Sequence, residues 1–123
     1  MIHLDTNFLI HALVVGSSAE TKLQAWLTAG EDLGISAIAW SEFLCGPLTS
    51  QEEALAQLLL AAPEPFTSAD ARGAATLFNA TGRRARTLAD CQIAAVALRC
   101  GASVATGNLP DFTPFQNHGL TLT

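Results

Sequence analysis

Apolar residues in this chain come in short runs that alternate with stretches spaced for one face of a helix, and the alternation holds from end to end. Met1 to Leu4 is a short apolar run broken by Asp5, which predicts a strand with an acid at its C-terminal end. Thr6 and Asn7 then open a helix through Phe8, Leu9, Ala12 and Leu13 that closes near Gly16. Ser17 with Glu20 reads as a capping box for a helix carrying Leu23, Trp26 and Leu27 on one face up to Gly30. Leu33 to Ile35 is the next strand, and Ser36 caps a helix containing Trp40, Glu42, Phe43 and Leu44 that Gly46-Pro47 ends. Ser50 with Glu53 predicts a second capping box and a helix to Ala62, after which Pro63 and Pro65 leave Glu64 to Phe66 as a short strand at most. Ser68 with Asp70 starts a helix to about Thr81, and Thr87 caps another over Leu88 to Cys100, terminated by Gly101. Ala102 to Thr106 is small and apolar like a buried strand, and Leu120 to Leu122 suits an edge strand.

Strands alternating with helices imply a parallel sheet covered on both faces. The expected fold class is therefore α/β, a three-layer α/β/α sandwich around a mainly parallel sheet of four to five strands. No linker or repeat divides the sequence, so residues 1–123 are expected to form one domain. In such sheets ligands bind beyond the carboxyl ends of the strands, where Asp5 and Asn108 would both stand.

Composition narrows the function. Half of the residues are hydrophobic and 14% are charged, which suits a globular chain. A net charge of -5 argues against a non-specific nucleic-acid binder, although it leaves room for an enzyme that meets phosphate through metal. Arg83, Arg84 and Arg86 form the one basic cluster; it is either a solvated loop or helix end, or a contact for phosphate or an acidic partner. Cys45, Cys91 and Cys100 show neither even number nor C-x-x-C spacing, so a disulfide framework or structural zinc is not expected. No apolar run has the length of a membrane span, and a reducing cytoplasm fits best.

Three carboxylates far apart in sequence carry the candidate chemistry: Asp5 behind the first strand, Glu42 beside a helical apolar stripe, and Asp90 in the first turn of its helix. Each has an ordinary structural explanation alone, as a cap, an exposed glutamate or a dipole partner. Brought together they would repel, by roughly 4 kcal/mol for a pair about 4 Å apart at an effective dielectric of 20, so a cluster takes up protons or a divalent cation.

Four segments strengthen that reading: Leu4-Asp5-Thr6-Asn7-Phe8-Leu9-Ile10, Ser41-Glu42-Phe43-Leu44-Cys45-Gly46, Ala89-Asp90-Cys91-Gln92-Ile93-Ala94-Ala95 and Ala105-Thr106-Gly107-Asn108-Leu109-Pro110-Asp111-Phe112. In order and spacing they resemble the successive motifs of PIN-domain nucleases, and the chain is most similar to VapC-type ribonuclease toxins of toxin-antitoxin pairs. The resemblance implies that Asp5, Glu42 and Asp90 hold Mg²⁺ or Mn²⁺, with Thr6 and more weakly Asn7 in support. It implies hydrolysis of RNA phosphodiesters by metal-activated water, an antitoxin partner and a homodimer. In the fourth motif the family's Thr-Arg pair is Thr106-Gly107 here, so whether Asn108, Asp111 or both complete the site stays open.

His3, His11 and His118 are read as structural or surface residues, since hard oxygen-liganded cations gain little from imidazole. Cys91 is read as packing, and the tryptophans and phenylalanines as core or interface. Two other functions compete. One is a catalytically silent binding module of the same fold, kept alive by the altered fourth motif; the other is a phosphatase-like hydrolase with Asp5 as nucleophile, disfavoured because Asn7 stands where such enzymes repeat an acid.

Overall fold

In a computed structural model, which describes residues 1–123, the opening apolar run becomes β1 (Ile2–Leu4), the central strand of the sheet. β2 (Leu33–Gly34) and β3 (Ser103–Ala105) pair with it in parallel on either side, with Ile2 opposite Leu33 and Ser103. The strands are buried almost throughout, which requires helices on both faces of the sheet.

The sheet has three strands, not the expected four to five. Residues 64–66 and 120–122 reach it only as single parallel bridges, Ser36 to Glu64 and Val104 to Leu122. Pro63 and Pro65 carry no amide hydrogen, so Glu64 alone serves its edge, donating to Ile35 O and accepting from Ala37 N, both at 2.8 Å. On the other edge Val104 N donates to Thr121 O at 2.9 Å, and Thr123 N donates to Val104 O at 3.0 Å.

The six predicted helices appear in order, α1 (Thr6–Ala12), α2 (Ser18–Thr28), α3 (Ala37–Cys45), α4 (Ser50–Leu59), α5 (Ser68–Ala80) and α6 (Leu88–Cys100), and a short α7 (Leu109–Phe112) that the apolar pattern did not predict follows β3. Their caps depart from expectation in four places. The two later capping boxes begin one residue earlier, as Thr49 with Glu52 and Thr67 with Asp70. At α2 Ser17 accepts from Glu20 N, but the Glu20 carboxylate takes Gly16 N in place of the reciprocal bond. Thr87 makes no cap bond, because it lies in a 3₁₀ turn (Ala85–Thr87) and its hydroxyl donates to Arg84 O at 2.8 Å. α4 also stops short of Ala62, since Leu60 is extended and Ala61 N donates to Leu33 O.

α6 is the pillar of the site. Cys91 and Ile93 through Ala97 are buried, and the small side chains let α5 pass close, where a Cβ on Gly73 would lie 3.5 Å from that of Ala95. Its far end is clasped by Arg99, whose Nε donates to Asp70 Oδ1 at 2.8 Å and whose Nη2 donates to Pro65 O at 3.0 Å. Gly101, at φ 65, then turns the chain into β3 with the left-handed geometry that glycine adopts most readily. No helix is long and apolar enough to cross a membrane.

Candidate functional site

With β1 in the middle, the chain leaves it for β2 on one side and for β3 on the other, so the switch in strand order opens a crevice beyond the carboxyl ends of β1 and β3. Asp5 and Thr106 follow those two ends directly. Asp5 is 5% exposed and hydrogen-bonded at both oxygens, with Thr6 N donating to Oδ1 at 2.8 Å and Thr106 Oγ1 donating to Oδ2 at 2.8 Å. A carboxylate so tethered keeps one orientation and still has lone pairs free for a ligand. Burial raises its pKa, Thr106 and Thr6 pull it back, and the charge of Asp111 raises it again.

Thr6 joins the first motif to the second. Its single hydroxyl proton stands between Ala39 O at 3.1 Å and Glu42 Oε1 at 3.3 Å, so α3 is held to the end of β1 beside Asp5. Glu42 borders open solvent, yet burial of its carboxyl end raises its pKa, opposed by the Thr6 bond and reinforced by Asp5.

Asp90 enters from α6, half-buried at the third position of that helix. Burial and then the charges of Asp5, Asp111 and Glu42 push its carboxyl up to about 7. Four acids from four separate stretches of chain therefore act on one another at one rim. None of them is in an ion pair: the only ion pairs in the molecule belong to Arg99, with Glu64 and Asp70.

The fourth motif closes the rim. Asn108 N donates to Thr106 Oγ1 at 3.0 Å and Asn108 Nδ2 donates to Asp111 Oδ2 at 2.6 Å, so the amide orients the acid and both side chains stay exposed. Asn7 Oδ1 accepts from Gly107 N at 3.0 Å, which ties α1 to this turn. Thr106 is the functional side chain to which sequence reasoning assigned no role, although the fourth motif contains it; its bond to Asp5 follows from its place directly after β3, beside the end of β1.

Of the basic cluster, Arg83 sits at φ 56 and donates through Nη1 to Asn79 Oδ1 at 2.9 Å, whereas Arg84 and Arg86 line a small cavity with Asp111. Cys91 is fully buried and burial pushes its thiol up, in keeping with a packing role. Phe8 and Phe43 are core residues; Trp26 and Trp40 pack half-buried against them at ring centroids of 5.4 and 5.3 Å.

The donor set suits a hard divalent cation, since it is all oxygen, strongly acidic and in no ion pair with an arginine or lysine. It is not a closed cage: no three His, Cys, Asp or Glu side chains converge tightly enough to hold one ion. A nucleophilic role for Asp5 finds no second acid beside it in the first motif, since Asn7 stands there and its Oδ1 accepts from Gly107 N.

Comparison with known proteins agrees with this geometry. The family model described as PIN domain matches residues 2–109. Among solved structures, the FitAcB crystal structure from Neisseria gonorrhoeae superposes with a TM-score of 0.72 at 25% identity, covering 99% of this chain and 96% of that one. VapBC2 from Rickettsia felis, bound to a DNA fragment from its promoter, gives 0.73 at 19% identity over 100% of this chain and 98% of that chain. A toxin-antitoxin complex from Klebsiella pneumoniae gives 0.72 at 24% identity, over 92% and 91%. No curated protein matches the sequence.

Proposed function

The chain belongs to the PIN-domain family, and from that premise we propose that it is a metal-dependent endoribonuclease, the toxin of a toxin-antitoxin pair. The observation that carries this reading is the crowding of Asp5, Glu42 and Asp90 at the switch point, each raised in pKa by burial and by a neighbouring carboxylate, with no ion pair to balance them. Asp5, Glu42 and Asp90 would hold Mg²⁺ or Mn²⁺. When bound, such an ion supplies a Lewis acid that acidifies water and offsets the charge developing on a phosphoryl group.

The protein's own part is orientation. Thr6 and Thr106 fix the two oxygens of Asp5, and the Thr6 hydroxyl steadies Glu42. Asn108 holds Asp111. Asp90, with a carboxyl near neutrality in its pKa, carries a proton about half of the time at pH 7 and gives it up when positive charge arrives beside it. RNA enters as the substrate because the proposed chemistry is phosphodiester hydrolysis and the family resemblance points there.

Partners are proposed on the same footing. One solved relative is a toxin-antitoxin complex, and another is bound to a DNA fragment from its promoter. On this chain Val15 and Leu58 stand 89% and 85% exposed, apolar surface that suits an antitoxin or a second copy in a homodimer.

The test is cleavage of RNA in Mg²⁺ by the purified protein and by Asp5→Asn and Asp90→Asn. Both variants should lose activity on the order of 10²-fold or more while keeping native circular dichroism. Persisting cleavage in clean variant preparations would reject the assigned acids. The open arrangement of the acids and the glycine at position 107 favour one second reading, a silent binding module. Absence of Mn²⁺ binding together with retained partner association would select it.

A further inference from the structure

Two cavities adjoin the acidic rim, and each is bounded by a residue that belongs to the rim. The first, about 270 Å³, includes Thr106, the donor to Asp5, and is lined by His11, Lys22 and Gly107. The second, about 110 Å³, includes Asp111 and is lined by Arg84 and Arg86. The chain has six Lys and Arg in all. Arg99 is paired with Asp70, Arg83 donates to Asn79, and Arg72 lies exposed on α5 outside both cavities. The remaining three, Lys22, Arg84 and Arg86, are the ones at the cavities, and none of them makes a side-chain bond to the protein.

Each cavity is built by a local feature. At position 107 a Cβ would lie 3.4 Å from Asn7 Oδ1 and 3.5 Å from His11 Nδ1, so a larger side chain would project into the first cavity; glycine leaves it open. On the second side the chain takes left-handed geometry at Gly82 (φ 102) and again at Arg83 (φ 56), an arrangement costing roughly 1 kcal/mol at the non-glycine residue. Thr81 Oγ1 to Leu77 O at 2.7 Å and Arg83 N to Phe78 O at 3.0 Å hold that turn, which presents Arg84 and Arg86 to Asp111.

We propose that one RNA strand crosses the carboxylates between these two cavities, with the phosphate on one flank held by Lys22 and His11 in the space opened by Gly107 and the phosphate on the other held by Arg84 and Arg86. The inference rests on the nuclease reading. It explains how a chain of net charge -5 grips a polyanion: the three cations without a protein partner line the two cavities that adjoin the carboxylates. Cations that touch phosphate displace condensed counterions, so each such contact leaves its mark on the salt dependence of binding.

The experiment is fluorescence anisotropy of a labelled single-stranded RNA of about twelve nucleotides, a length matched to a single-strand groove, titrated in EDTA over a series of salt concentrations. Lys22→Gln and the pair Arg84→Gln/Arg86→Gln should each weaken binding and lower the slope of log affinity against log salt, by about 0.7 per charge removed. Combined, the losses should add. Arg84→Lys/Arg86→Lys should keep the slope, and Arg72→Gln should behave as wild type. In Mg²⁺ the glutamine variants should raise KM and leave kcat within about twofold. An Arg72→Gln effect as large as the others would mean diffuse attraction and overturn the proposal, as would an unchanged slope for Lys22→Gln or for the arginine pair. The anisotropy needs no turnover: if Asp90→Asn still cleaves while the slopes fall, the nuclease assignment fails alone, and if Asp90→Asn is dead while the slopes hold, the two-sided track fails alone.

Discussion

Replacing Asp90 by asparagine should stabilise the cation-free protein at alkaline pH while destroying the proposed activity. Asp90 is lifted from 3.8 to about 7 by burial and by Asp5, Asp111 and Glu42. At about 1.4 kcal/mol per unit, three units amount to about 4 kcal/mol, and because the group is half open to solvent we halve this to about 2 kcal/mol. The sign follows from proton binding. Between about pH 4 and pH 7 the folded state holds a proton at Asp90 that the unfolded chain has released, so stability falls as pH rises through this window. Above about pH 7 the full penalty is present; below about pH 4 both states are protonated and it vanishes. Asparagine carries no such penalty. With an unfolding entropy near 2.1 cal/mol/K per residue, about 2 kcal/mol over this chain corresponds to a melting shift of about 8 °C. Circular dichroism melts in EDTA at pH 8 should therefore place Asp90→Asn about 8 °C above the parent, and the difference should close at pH 4. A variant that melts at or below the parent at pH 8, or a difference that does not change with pH, would refute the electrostatic picture of the rim.

Three further substitutions probe the frame around the acids. Thr106→Val removes the donor to Asp5 Oδ2 and the acceptor for Asn108 N; loss of a bond to a charged group is expected to cost about 2 kcal/mol and to cut cleavage at least tenfold, read by urea unfolding and RNA cleavage in parallel. His3→Leu should stabilise the fold by about 1 kcal/mol or more, because both imidazole nitrogens are buried without a partner and leucine fills a similar volume; a lower urea midpoint would show that the ring has a partner. Thr67→Ala breaks the capping box of α5 and should cost about 1 kcal/mol, lowering the melting temperature by a few degrees while RNA cleavage stays as in the parent.

The identity and order of α1 to α6 and of the inner strands were legible because each is written locally, whereas the four-residue α7 is too short to show an apolar period. Apolar period, a capping hydroxyl and a closing glycine all act within a few residues, as Ser36 and Gly101 do at the ends of α3 and α6. Cap positions slipped by one residue at Thr49 and Thr67 because adjacent residues, Thr49-Ser50 and Thr67-Ser68, offer the same hydroxyl. The outer strands were over-counted for a different reason: whether residues 64–66 and 120–122 form strands depends on which neighbour they meet, and the flanking prolines limit Glu64 to one bridge.

For the site, the sequence by itself singled out Asp5, Glu42, Asp90, Asn108 and Asp111 as candidates, through residue type and motif order. Only the tertiary structure brought them to one rim, since their interaction depends on α3, α6 and α7 converging on the ends of β1 and β3. The same convergence decided what sequence could not express: that Thr106 orients Asp5, that Arg83 is committed to Asn79 while Arg84 and Arg86 make no side-chain bond, and that Lys22 lines a second cavity beside Thr106. A side chain's type is fixed by its codon, but its charge state and its partners are set by residues up to a hundred positions away, through distances that only the folded chain defines.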